Sequence, residues 1–265
     1  MAAAEHLTIA HISDLHCGGP YFVPNLMERA ISEINDLAPD LVVCSGDLTT
    51  FGFRPEYVQA KEYLSQLECE LVVIPGNHDA RNVGYIHFEE LFGARSSVLR
   101  IGRATIVAVD STEPDLDHGQ IGRGRYPWIE EQFDDDAELR IFVLHHHLLP
   151  VPGTGRERNV VYDAGDALEC LQRARVQMVL SGHKHVPYAW RLENMFILNA
   201  GTVSSLRLRG NTRPCYNIIE VEGAHVSVWR RYPFHGQERI IQFSTETLEF
   251  EKYTARIEGE LSSRG

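Results

Sequence analysis

Leu7-Thr-Ile-Ala-His-Ile-Ser-Asp-Leu-His16 is an apolar run that stops on an acid and an imidazole. The same grammar returns twice downstream, in Leu41-Val-Val-Cys-Ser-Gly-Asp47 and in Leu71-Val-Val-Ile-Pro-Gly-Asn-His-Asp79. Residues 7–12, 41–44 and 71–74 read as three short strands. Between them, residues 24–37 repeat at helical spacing (Leu26, Ala30, Ile31, Ile34) and stop before Pro39, and residues 55–67 place Tyr57, Ala60, Tyr63, Leu64 and Leu67 on one side. A β-α-β-α-β order implies right-handed crossovers and a largely parallel start to a sheet.

Outward from this core, further strands are expected at 105–109, 141–144, 176–180 and 196–198, with a helix at 163–174. From Tyr216 the chain reads as a meander, 216–221, 225–231 and 239–243, with Gly223 in the first turn and Gly236 in the second. A strand-rich second half beside a β-α-β first half predicts an α/β protein of two packed sheets with outer helices. Residues 1–205 form the expected core, and 206–265 a meander and tail of the same domain. Residues 113–125 and 150–159 read as long loops, which in compact domains are often functional. The tail from Thr247 is polar and is expected to be a loose helix or frayed.

Composition narrows the function. A net charge of −12 argues against non-specific binding of nucleic acid or anionic membrane, which needs clustered Lys and Arg. It does not oppose a small phosphorylated substrate if bound metal ions supply positive charge locally. No apolar run reaches the ~20 residues that span a bilayer, and no secretory signal is visible, so a cytoplasmic location is expected. Five cysteines, an odd number without metal-finger spacing, fit a reducing compartment. Cys44 reads as a core thiol, and Cys17 as a small loop residue beside His16.

Five apolar runs end in residue types that bind metals: Asp14-Leu-His16, Gly46-Asp47, Gly76-Asn-His-Asp79, His145-His-His147 and Gly182-His-Lys-His185. The carboxyl ends of strands in open α/β sheets face the ligand crevice, so groups far apart in sequence can converge. Imidazole and carboxylate suit zinc, manganese, iron and cobalt, and the absence of cysteine argues against a closed structural zinc site. Two cations need a shared carboxylate, and together they clamp the attacking and leaving oxygens of a phosphoryl displacement. Each motif alone has a bland reading as turn chemistry or solvated histidine. The five in this order point to a binuclear site.

These segments resemble those of the calcineurin-like metallophosphoesterases, most closely the class III cyclic-nucleotide phosphodiesterase branch. His11-Ile-Ser-Asp-Leu-His16, Ser45-Gly-Asp-Leu-Thr49, Pro75-Gly-Asn-His-Asp79, Val143-Leu-His-His146 and Ser181-Gly-His-Lys-His185 carry the resemblance. It implies a four-layer α/β/β/α sandwich and two divalent or trivalent transition-metal ions, manganese, iron or zinc. Asp14, His16 and His185 would hold the first, and Asn77, His183 and His145 the second, with Asp47 bridging. His146 is the alternative to His145, because the family's His-His-Pro here reads His145-His146-His147, with proline delayed to Pro150. The resemblance further implies attack on phosphorus by a metal-bridging hydroxide. His78, a non-ligand, would assist the departing alkoxide. Asp79 would either orient His78 through a hydrogen bond or cap the following helix.

A small phosphodiester is the expected substrate, either a 3′,5′-cyclic nucleotide such as cyclic AMP or a glycerophosphodiester. Ser/Thr protein phosphatases carry Gly-Asp-x-Val-Asp-Arg and Gly-Asn-His-Glu, whereas here Asp47 is followed by no arginine before Arg54, and a diester needs fewer cationic clamps. Arg123, Arg125, Arg156, Arg158, Arg207 and Arg209 lie in or beside loops and are candidates for substrate contact, although most such arginines are solvated. Tyr21 and Phe22 are candidates for a pocket wall. A nuclease, a phosphomonoesterase and a non-catalytic scaffold are the competing readings, the nuclease being opposed by the lack of a basic stripe. Trp229, Tyr232 and Phe234 in the meander are core residues or a homodimer contact.

Overall fold

The computed structural model describes residues 6–133, 136–152, 154 and 160–253. Arg156 and Arg158, and the chain beyond Tyr253, lie outside them. Among the described residues, thirteen strands form two sheets. The first runs β13-β12-β11-β10-β1-β2-β3 and the second β4-β5-β6-β7-β9-β8. β1 (His6–Ile12), β2 (Leu41–Cys44) and β3 (Glu70–Val73) are parallel, with α1 (Pro24–Leu37) and α2 (Arg54–Leu64) as crossovers. In the second sheet β5 (Ala104–Ala108), β6 (Leu139–Val143), β7 (Met178–Ser181) and β9 (Met195–Asn199) are parallel.

Period-two alternation explains the layering, since successive side chains of a strand point to opposite faces. Leu7, Ile9, Leu41, Val43 and Val72 from the first sheet meet Ile106, Ile141, Val143, Leu180 and Leu198 from the second in one central core. The intervening residues, Ala10, Ile12, Val42 and Cys44, face outward onto Met27, Ile31 and Ile34 of α1 and Tyr57 and Ala60 of α2. On the far side Phe142, Val179 and Ile197 pack on α4 (Tyr126–Gln132) and α5 (Ala164–Arg173) through Ile129, Ala167 and Leu171. The result is helix, sheet, sheet, helix. No described helix is long and apolar enough to cross a membrane.

The meander joins the first sheet directly. β10 (Tyr216–Glu222) pairs antiparallel with β1, matching Leu7 to Val221 and His11 to Asn217, and β11 (His225–Tyr232) and β12 (Gly236–Ser244) continue outward. Phe243 of β12 stacks on Phe196 of β9, with ring centroids 3.7 Å apart. Tyr232 is buried, Trp229 packs against the helix-side core, and Phe234 is exposed beneath Arg29. The tail departs from expectation: Phe250–Lys252 is a strand, β13, on the edge of β12. Gly236 opens β12 opposite Tyr232, the turn lying just before it. Four further elements carried no clear sequence signal: α3 (Gly84–Phe92), β4 (Ser97–Ile101), α4 and β8 (Tyr188–Leu192).

Candidate metal centre

The parallel strands of both sheets deliver their carboxyl ends to one place. Loops after β1, β2, β3, β6 and β7 carry Asp14 and His16, Asp47, Asn77 and His78, His145, and His183 and His185 respectively. Five of these residues, Asp14 (φ 55°), His16 (φ 54°), Asp47 (φ 53°), His183 (φ 78°) and His185 (φ 57°), are held in the left-handed region. Such a conformation costs a non-glycine residue about 1–3 kcal/mol and persists only where surrounding contacts over-determine it. Here they do. The loops after β1 and β2 are zipped together by Asp14 N to Gly46 O (2.9 Å), His16 N to Asp47 O (3.0 Å) and Cys17 N to Leu48 O (2.9 Å). Thr202 Oγ1 and Ser204 Oγ donate to Asp14 O (2.6 Å) and Leu15 O (3.0 Å). Gly182 must be glycine for a separate reason, because a Cβ there would run into Ser13 Oγ and Asp14 Oδ2.

Two ligand groups result: Asp14, His16, Asp47 and His185, and Asp47, His145 and His183, the donor atoms within each lying within 4.8 Å of one another. In the first, His185 Nε2 is 3.2 Å from Asp14 Oδ1 and 2.8 Å from His16 Nε2. His185 Nδ1 donates to Arg207 O (2.5 Å), so its Nε2 faces inward. Burial holds His16 neutral by lowering its pKa to about 3, Asp47 opposing. In the second, His145 Nδ1 donates to Ser45 O (2.8 Å), which turns Nε2 toward Asp47 Oδ2 (3.4 Å) and Asn77 Oδ1 (3.2 Å). His183 Nδ1 is 2.9 Å from the same Asn77 oxygen. Asp47 Oδ2 also lies 3.7 Å from His16 Nε2, so a single oxygen faces both groups. Burial drives the Asp47 carboxyl upward, but His145 and His78 outweigh it and hold it well below the ordinary range.

Buried carboxylates and imidazole nitrogens turned inward form the donor set of a cation pair. The residues therefore fit two metal ions, since deprotonated oxygen and nitrogen donors converge where the protein alone leaves them facing one another. His146 stands outside both groups. Its Nδ1 contacts Ser111 Oγ (2.9 Å), and its ring lies behind His183 at 4.7 Å. His147 is buried and also outside them; its backbone bridges to Val160.

Asp79 is placed differently from both expectations. Its carboxylate accepts from Leu48 N (3.0 Å), Thr49 N (2.9 Å), Thr49 Oγ1 (2.7 Å) and Gly76 N (2.8 Å). It thus ties the Asp47 loop to the Asn77 loop. It neither bonds His78 nor caps a described helix, because all four hydrogen bonds point back across the strand ends. Burial and the charge of Asp47 push its pKa up to about 7. His78 instead donates from Nδ1 to Thr50 O (2.6 Å), a carbonyl that can only accept, with Arg81 Nη1 3.1 Å away.

A cleft of about 310 Å³ opens over the centre, lined by Asn77, His78 and His183 and rimmed by Arg81, Lys184, Arg207 and Arg209. Arg207 and Arg209 thus reach the site, whereas Arg123 pairs with Asp166 (2.9 Å) and Arg125 bonds Asp110 O (2.7 Å). Arg81 and Asp117 were not anticipated. Arg81 binds Asp117 (2.5 Å), which also accepts from Asn77 Nδ2 (3.3 Å) and so turns Asn77 Oδ1 toward the histidines. The available signals were the position of Arg81 three residues after His78 and the length of the loop that carries Asp117.

Comparison with known proteins agrees with this geometry. The sequence profile of the calcineurin-like phosphoesterases matches residues 7–187. A probable cyclic nucleotide phosphodiesterase from Synechococcus is 27% identical over 195 residues, covering 69% of this chain and 74% of that protein. The 3′,5′-cyclic adenosine monophosphate phosphodiesterase CpdA of Escherichia coli is 27% identical over 149 residues, covering 55% of this chain and 54% of its own length. A probable glycerophosphodiester phosphodiesterase, GpdQ, from Arcobacter nitrofigilis is 34% identical over 127 residues, 45% of this chain and 46% of the relative. The match therefore spans only about half the length of these last two relatives. Among solved structures, a dimetal phosphatase from Danio rerio superposes with a TM-score of 0.69 at 11% identity, covering 86% of this chain and 96% of that one. A purple acid phosphatase from yellow lupin gives 0.68 at 14%, covering 93% and 53%. With its profile match spanning all five metal-binding segments, the chain belongs to the calcineurin-like phosphoesterase family.

Proposed function

We propose that the protein hydrolyses a small phosphodiester, a 3′,5′-cyclic nucleotide or a glycerophosphodiester, at this centre. The carrying observation is the pair of ligand groups that share Asp47 beneath a cleft rimmed by four cationic side chains. Asp14, His16, Asp47 and His185 would hold one metal ion, and Asp47, Asn77, His145 and His183 the other. Bound there, two ions of manganese, iron or zinc supply Lewis-acid charge and an activated water.

The chain's own residues do the rest. Asp14 and Asp47 contribute negative charge that the donor geometry directs inward. Asp117 fixes the orientation of Asn77, and Arg207 and Arg209 draw the anionic substrate to the mouth of a chain whose net charge is −12. His78, with Nδ1 committed to Thr50, presents Nε2 to the leaving oxygen and acts as its general acid. Asp79 acts by position, holding the Asp47 and Asn77 loops in register. Five free cysteines, four of them buried, support a reducing compartment such as the cytoplasm.

A metal-reconstituted panel tests this reading: bis(p-nitrophenyl) phosphate, p-nitrophenyl phosphate, cyclic AMP, 2′,3′-cyclic nucleotides and glycerophosphodiesters. Diesters are expected to turn over faster than the monoester, and Asn77→Ala to abolish turnover. A strong monoester preference overturns the diesterase reading, and no turnover with any metal overturns the enzyme.

A further inference from the structure

Beside the metal cleft lies a second recess of about 170 Å³, lined by Gly19, Pro20, Tyr21, Phe22 and Phe51 and opening onto His16, His78, Arg81 and Arg207. Three of the residues facing it therefore also belong to the cleft wall: His78, Arg81 and Arg207. The recess is continuous with the place where phosphorus would sit. Phe22 also packs on the helix-side core against Tyr63, but the fold does not explain Tyr21 and Phe51, which are 55% and 43% exposed. Both walls are nevertheless held in place. Leu206 N donates to Tyr21 O (2.9 Å), Val23 N to Ser204 O (2.8 Å), and Phe22 bridges to Ser205. Phe51 N donates to Glu56 Oε2 (2.8 Å), and Asn82 Nδ2 donates to Phe51 O (2.9 Å). Exposed apolar surface on a pre-formed wall next to a reaction centre marks a ligand contact.

We infer that this recess receives a planar aromatic ring carried by the substrate's organic arm, a nucleobase, and that Tyr21, Phe22 and Phe51 set the preference for nucleotide over glycerol diesters. The inference rests on the diesterase reading above. Size and chemistry both point this way. An apolar cavity of roughly 150 Å³ is enough to take up a benzene ring. A glycerol arm would bring hydroxyls against aromatic walls, where unpaired hydroxyls are costly. A base has a π-face for each ring, whatever its identity.

The test uses metal-reconstituted wild-type protein, Tyr21→Ala/Phe51→Ala and Phe51→Tyr. Affinities for 5′-AMP and glycerol 3-phosphate are measured by calorimetry, and kcat/KM for cyclic AMP and for a glycerophosphodiester by product release. Base stacking on aromatics sets the expected size, ~10-fold or more off AMP affinity and cyclic AMP kcat/KM in the double variant. The glycerol ligands should stay within about twofold, and Phe51→Tyr should retain AMP binding at the wild-type level. Equal losses for both ligand types, or unchanged AMP binding with the fold intact by thermal melt, overturn the inference. AMP binding is read whether or not any diester turns over, so failure of the recess and failure of the diesterase reading give different results.

Discussion

His78 and Asp79 are neighbours in sequence and do opposite kinds of work. His78 faces the cleft from a backbone fixed by its own N–H on Asp47 Oδ1 (2.8 Å). His78→Ala should leave two metals per chain by elemental analysis while kcat for an alkyl diester falls about 10²–10⁴-fold, the range of a positioned general acid. The fall should be smaller for p-nitrophenolate, which leaves without help. Asp79→Asn should do the reverse. Each carboxylate oxygen accepts two donors, so an amide NH₂ must face donors wherever it turns. We expect a loss of about 1–3 kcal/mol per unsatisfied donor in denaturant unfolding, with lower metal occupancy. His11, behind the site and 2.9 Å from Ser45 Oγ, is held neutral by burial, its pKa lowered from 6.5 to about 3. As pH falls through 6.5 the unfolded chain takes up this proton and the folded chain does not, so stability is lost from there down to about 3. His11→Gln, studied with chelator present, should flatten that dependence by up to about 1.4 kcal/mol per pH unit.

At the scale of elements, the packing of the two sheets carries the centre. Phe243 and Phe196, both buried, stack across the interface between the meander and the second sheet. Phe243→Ala should cost about 3–5 kcal/mol in chemical denaturation, as large aromatic truncations in cores do. A much smaller cost would mean that β12 is not part of the core. Strands whose apolar run ends on a ligand were legible in sequence, because an apolar run and a polar stop are two signals at once. β4 and β8 were not, since half-exposed edge strands such as Ser97–Ile101 bury too little to stand out from loops. α3 begins after Asn82 and Val83 in left-handed conformation, without a capping side chain, so its start carries no local mark. The cleft wall was the least legible part. Arg81 and Asp117 meet through tertiary folding alone, and nothing in either segment announces the other.

For the whole molecule, stability and the metal centre are linked. Asp14 and Asp47 are buried carboxylates, and against the lowering effect of burial Asp47 raises the pKa of His145 to about 9 and Asp14 raises that of His185. Ions bound to the folded state alone stabilise it by mass action. Thermal melting with a chelator should therefore give a lower Tm than with saturating manganese or zinc, and adding metal back should restore it. The position of β10 between β1 and β11 has a consequence of another kind. β1 leaves the ribosome early, but the strand that closes its second flank begins only at Tyr216. At ordinary rates of synthesis that edge stays open for roughly 10–40 s, a template on which a neighbouring nascent chain could pair. The ligands are spread over the same interval, from Asp14 to His185. The last of them, His185, is made before Tyr216, so the whole ligand set can emerge while the edge of β1 is still open, and only β10 closes that edge.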